Sequence, residues 1–162
     1  EEDKVEDLGF PYVVLLSQDC DLEQSLKNER KESGGLVKNN QYLPNLLIMP
    51  AFIAEAVRAG DHLRDLFGII QDRHNSEQWK KIKINTVGRY HFLSSYLNLQ
   101  IPELIIDFKI YFSVSHSELI KFYDKGGYIG TINELFRERL SQRFTNYLGW
   151  IGLPEGMEQC QD

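Results

Sequence analysis

Cysteine is scarce in this chain of 162 residues: Cys20 and Cys160 stand far apart, and no Cys-x-x-Cys pair occurs. A disulfide framework and a zinc knuckle are thereby excluded, and a reducing, cytoplasmic setting is expected. No apolar run approaches the ~20 residues that a membrane span needs, so no membrane partner is expected. Glu1-Glu2-Asp3 opens no basic or apolar leader, and no secretory signal is expected. A Gly-rich phosphate loop, a Gly-x-Ser-x-Gly turn and a His-Glu-x-x-His helix are also lacking. Their absence removes the common kinase, hydrolase and zinc-protease readings, and no cofactor is implied.

What is present suffices for one core. At 42% apolar and 12% aromatic residues the chain can bury a sizeable interior, which excludes wholesale disorder. One α+β domain is expected over 1–162, with a frayed acidic start at 1–8, a mobile polar loop at 27–41 and a tail at 155–162. The net charge of −6 argues against a nucleic-acid partner. Its distribution argues the other way. Between Lys80 and Trp150 ten basic residues face six acidic ones, a net of +4, which leaves −10 for the remainder. Such asymmetry can place a basic face on an acidic protein, although solvated helix faces account for it more simply.

Pro11 to Leu16 is apolar on both faces and reads as a buried strand. Leu22 to Leu26 fits a single helical turn. Leu46 to Met49 is a second short strand, bracketed by Pro44 and Pro50. Ala51 to Ala59 suits a helix with Phe52, Ala56 and Ala59 inward, closed by Gly60. Asp61 is placed to cap a further helix ending at Phe67. Ser76 to Lys81 fits a helical turn and Arg89 to Leu93 a strand. Leu104 to Val114 reads as the central strand, with Ile106, Phe108, Ile110 and Phe112 on one face. Asp107, Lys109, Tyr111 and Ser113 take the other. Ser115 to Glu118 and Thr131 to Glu134 are capping-box patterns, each opening a helix. The last helix should bury Phe136, Leu140, Phe144, Tyr147 and Leu148, with Arg139 and Arg143 on a more exposed face.

Three groupings carry chemical potential. Ser17-Gln18-Asp19-Cys20-Asp21 follows a strand, where side chains are held rigidly against a loop. A Cys20 nucleophile would need a base such as His91, yet the flanking carboxylates raise a thiol's pKa. Packing is the simpler role for Cys20, and the spacing makes no recognised metal site. Asp107-Phe108-Lys109 has the acid and lysine of PD-(D/E)xK metal-dependent nucleases, but an ion pair on a solvent face explains it more simply. Arg89-Tyr90-His91, preceded by Lys80, Lys81 and Lys83, pairs cations with rings, as a site for phosphates and stacked bases requires. Alternation puts Arg89 and His91 on one face. Arg89, His91 and Lys109 are therefore the candidate contacts for RNA or DNA.

Pro11-Tyr12-Val13-Val14-Leu15-Leu16-Ser17 resembles the second strand of the PemK/MazF-like toxin barrels. That resemblance implies a small, curved, mainly antiparallel sheet of SH3/PemK-like type, with a helical insertion at 51–67 and a C-terminal helix. The toxins cleave RNA with the arginine of an Arg-Pro pair and a later Ser or Thr. Phe10 stands in place of that arginine and no later Ser or Thr matches, so the family's ribonuclease mechanism is not expected. The Ser-Gln-x-Cys-Asp segment, Arg89 to Leu93, Asp107 to Lys109 and Arg143 to Pro154 are together similar to uncharacterised bacterial proteins of mobile elements and defence loci. The resemblance implies a defence- or toxin-related domain contacting nucleic acid. The competing expectation is a non-enzymatic interaction module, antitoxin-like or sensory, binding a protein partner through 27–41.

Overall fold

The structure, a computed structural model, describes residues 9–17 and 43–149. Five strands make one antiparallel sheet: β1 (Tyr12–Leu15), β2 (Asn45–Ile53), β3 (Tyr90–Leu93), β4 (Leu104–Asp107) and β5 (Phe112–Ser115). The order is β1-β2-β4-β3, and β5 pairs with β2. Among the described residues the sheet is open, with no pairing between β1 and β3 to close a barrel.

β2 organises this sheet. Its first half, Asn45 to Ile48, pairs with β5, and its last residues, Ala51 to Ile53, pair with β4. β1 lies along the opposite edge and pairs with Ile48 to Ala51. Two expectations fail together here. The expected break at Pro50 is absent, because Pro50 falls in the gap between the β5 and β4 pairings, where a missing N–H costs little. The expected single strand Leu104–Val114 is instead two strands, turned at Phe108 and Lys109 so that each reaches a different part of β2. The spine of the sheet is β2. Among the described residues β1 is a half-buried edge strand, with Val13 41% exposed.

Helices cover both faces. α1 (Ala54–Ala59), α2 (Arg64–Phe67) and α3 (Ser76–Lys83) form the insertion, α4 (His116–Asp124) follows β5, and α5 (Glu134–Gly149) is last. On one face Phe52, Tyr90 and Ile105 pack with Val57, Leu63, Trp79 and Ile82. On the other, Met49, Ala51, Leu104, Ile106 and Phe108 pack with Leu140 and Phe144 of α5. The alternation of Ile105 and Ile106 between these two clusters is the period-two signature of a strand buried on both faces. α1 begins later than its sequence suggests, so Ala54 and Val57, rather than Ala56 and Ala59, point inward. Asp61 pairs with Arg64 at 2.6 Å instead of capping α2, whose Phe67 is exposed. The Ser115–Glu118 capping box forms as the pattern requires. At α5 the side chain of Asn133, not Thr131, accepts the Leu135 amide, and Phe136 lies outside the buried stripe. No helix among the described residues is long and apolar enough to cross a membrane.

Candidate functional site

β4 ends at Asp107, and the turn that follows brings this carboxylate against the residue preceding β3. The Asp107 side chain is wholly buried and accepts hydrogen bonds from Arg89 Nε at 2.8 Å and from Arg89 Nη2. It also accepts from the Lys109 backbone amide at 3.1 Å, while His62 Nε2 lies 3.6 Å away. Burial alone would raise the carboxyl pKa. The hydrogen bonds and charge of Arg89, with nearby His62, outweigh it and hold Asp107 below the usual carboxylate range. Burial likewise opposes the Arg89 charge, and Asp107 reverses the balance and raises its pKa. The guanidinium lies 4.8 Å from the Tyr90 ring centroid. Tyr90 is pushed up to about 12, first by burial and then by the Asp107 charge. Its hydroxyl donates to Gln71 Oε1 at 3.3 Å.

Above this ion pair lies an open cleft of about 410 Å³, between the segment 63–71 and the turn 107–112. Arg89 and Lys109 line it together with Phe67, Tyr111 and Phe112. Lys109 is exposed, as are Tyr111 (45%) and Phe67 (40%), and the Tyr111 ring meets that of Phe144 of α5 edge-on at 5.3 Å. The arrangement presents two cations and two partly exposed aromatic residues around one buried carboxylate.

Arg89 and Lys109 are thus brought together, and His91 is not. His91 faces the opposite side of the sheet, buried, with its ring 6.2 Å from that of Phe108. Burial, reinforced by Arg143 and Arg139, lowers its pKa to about 4. Arg89 precedes the regular part of β3 and folds over Tyr90, which is why alternation misplaced it on the His91 face. Asp107 and Lys109 do not form a solvent-facing ion pair: the carboxylate is buried under Arg89, and Lys109 contributes its backbone amide. Ser17 extends the β1–β2 ladder, its Oγ accepting the Leu47 amide at 3.3 Å. Gln18, Asp19, Cys20 and Asp21, the turn at Leu22 to Leu26 and the loop 27–41 lie outside the described residues, as do 1–8 and the tail 155–162. Among the described residues no three His, Cys, Asp or Glu side chains converge as metal ligands.

Two structurally decisive residues escaped the sequence reading. Arg143, assigned to an exposed face, reaches the backbone carbonyls of Asn85, Val87 and Tyr90. Asn85, at φ 60°, accepts the Phe92 amide at 2.7 Å and donates to the Phe92 carbonyl at 3.2 Å. Together they occupy the free edge of β3 and leave it no bare ladder. Nothing in the residue order signals Arg143. An asparagine after a helix does hint at a left-handed turn. No protein-family model, curated protein or solved structure matches the chain.

Proposed function

We propose that this domain contacts single-stranded nucleic acid across the Arg89–Lys109 cleft, in a cytoplasmic bacterial defence or toxin-related setting. The observation that carries the reading is the cleft's combination of an exposed lysine with exposed Tyr111 and Phe67 beside Arg89. Cations track phosphates, and accessible rings stack bases of any identity. A derived relation to the PemK/MazF-like barrel belongs to the same proposal and draws support from the antiparallel sheet. The toxin's ribonuclease chemistry does not belong to it. Phe10, where the toxins carry arginine, packs its ring 5.3 Å from that of Phe112.

The test is fluorescence anisotropy with short RNA and DNA strands at several salt concentrations. Binding should weaken linearly with log salt. Lys109→Ala should reduce the slope by about one ion, and Tyr111→Ala should cost about 1–3 kcal/mol of affinity. Arg89 is a poor probe, since its removal strands Asp107. Salt-indifferent binding, or none at low ionic strength, overturns the reading.

A second reading has its own observation. Phe122, Tyr123, Tyr128, Ile129, Leu135 and Phe136 are exposed from the end of α4 to the start of α5, with Leu135 76% accessible. Apolar surface gathered in one stretch favours a protein-interaction module. A protein partner that survives nuclease treatment and is lost on Leu135→Ser supports this reading, and co-purified RNA or DNA supports the first.

A further inference from the structure

A second concavity, of about 320 Å³, lies between the end of α1 and the start of α3. Its lining is Arg58, Arg73, His74, Asn75 and Ser76, without a carboxylate. Arg58 and His74 are tied together, because the His74 amide donates to the Arg58 carbonyl at 3.0 Å. The Arg58 guanidinium lies 5.8 Å from the Trp79 ring centroid, and the His74 ring meets that of Tyr90 edge-on at 5.4 Å. Packing therefore holds both side chains in place. Yet Arg58 Nε and His74 Nε2 are buried without a hydrogen-bond partner, and neither Arg58 nor Arg73 makes an ion pair among the described residues. The two arginines therefore have no countercharge among the residues that line the cavity.

We infer that this cavity is a binding site for a phosphate monoester, either free or at the end of a nucleotide strand. A tetrahedral dianion supplies what the site lacks, countercharge for two arginines that make no ion pair among the described residues. Arginine suits this role because its planar fork engages two phosphate oxygens at once. His74 lines the cavity uncharged. Burial, then Arg89 and His62, lower its pKa, so at neutral pH it adds no charge there. The Ser76 hydroxyl completes the lining on the exposed side. Asn75 is committed elsewhere, its Oδ1 accepting the Gln78 amide at 2.9 Å. This site stands apart from the Arg89–Lys109 cleft and does not depend on strand binding there.

The direct probe is inorganic phosphate, titrated at low ionic strength while the His74 ring resonances are followed by NMR. A saturable shift is expected, weakened at least about tenfold by Arg73→Gln, since a charge-assisted contact contributes that much. Arg73 is exposed, so this variant keeps the fold. Arg58→Lys, which retains charge but loses the fork, should weaken binding by a similar factor. A 5′-mononucleotide and a short oligonucleotide, with and without terminal phosphate, then separate the sources. Equal affinity for inorganic phosphate and mononucleotide assigns the free anion. A gain that vanishes on dephosphorylating the oligonucleotide assigns the strand end. Non-saturable shifts, or shifts unaltered by both Arg73→Gln and Arg58→Lys, overturn the inference, whatever happens at the other cleft.

Discussion

Arg143, on the last helix, donates through Nη2 to the carbonyl of Tyr90 at 2.8 Å, across 53 positions of sequence. The same guanidinium reaches the carbonyls of Val87 and Asn85, so one side chain ties α5 to the approach and first residue of β3. Arg143 is partly buried, and burial, together with Arg139, lowers its pKa.

Arg143→Ala should therefore destabilise the protein by about 2–3 kcal/mol, since three carbonyls lose a charged donor. Arg143→Lys should recover less than half of this, because one ammonium cannot span all three acceptors. Urea unfolding measures both. A loss below about 1 kcal/mol for the alanine variant would place these contacts among ordinary surface bonds.

Asp107 and Arg89 should behave as a unit. Removing either partner strands the other, and Asp107→Ala should cost about 3 kcal/mol, at the low end for buried pairs because the Arg89 side chain is 25% exposed. The double variant Asp107→Leu/Arg89→Met should lose less than the two single losses added together, with coupling of about 2 kcal/mol. Simple additivity in a double-mutant cycle would refute the pairing.

His91 sets an acid limit. Its pKa falls from an unfolded value of about 6.5 to about 4 in the fold. The unfolded chain thus binds the extra proton first. The contribution of neutral His91 is complete above about pH 6.5 and is lost as pH falls towards 4, up to roughly 3 kcal/mol. Asp107, also lowered, adds its own loss below the ordinary carboxylate range. His91→Leu should flatten stability between pH 6.5 and 4, leaving the smaller slope due to His74. An unchanged slope would show that His91 is not the sensor.

Gly60 and Gly68 separate backbone strain from crowding. Both have positive φ, at 86° and 66°. A Cβ on Gly60 would sit 2.1 Å from the Gln71 carbonyl oxygen, whereas one on Gly68 meets nothing within 4 Å. Gly68→Ala should cost about 1 kcal/mol, the ordinary left-handed penalty. Gly60→Ala should cost at least about 2 kcal/mol more, since backbone must move. Equal losses in thermal unfolding would contradict this close approach.

Period-two alternation, capping residues and glycine stops made most elements legible in the sequence. The strand at Tyr90–Leu93, the capping box at Ser115–Glu118 and the Gly60 cap all carry local signals, and all appear. The failures share a physical cause, which is that tertiary pairing overrode a local pattern. Leu104–Val114 alternates without interruption, yet it turns at Phe108 because β2 offers two separate ladders. Pro50 looks like a strand breaker until the gap opposite it is seen. At the site, Arg89 and Lys109 were legible as cations near rings. The buried character of Asp107 was not, because nothing local shows that Arg89 folds back across the strand to cover it.

The forked pairing of β2 has a mechanical side. Its two arms, held by β5 and β4, meet at Met49 and Pro50, where the ladder on that side is interrupted, and the turn bearing Lys109 and Tyr111 hangs in the fork. Among the described residues only β1 runs past the junction, pairing from Ile48 to Ala51. This short edge strand is therefore the splint of the sheet. Without it both arms would keep their own hydrogen bonds to β2, and the angle between them would rest on the β2 backbone and on packing under α5. The shape of the cleft thus depends in part on a strand that takes no part in lining it.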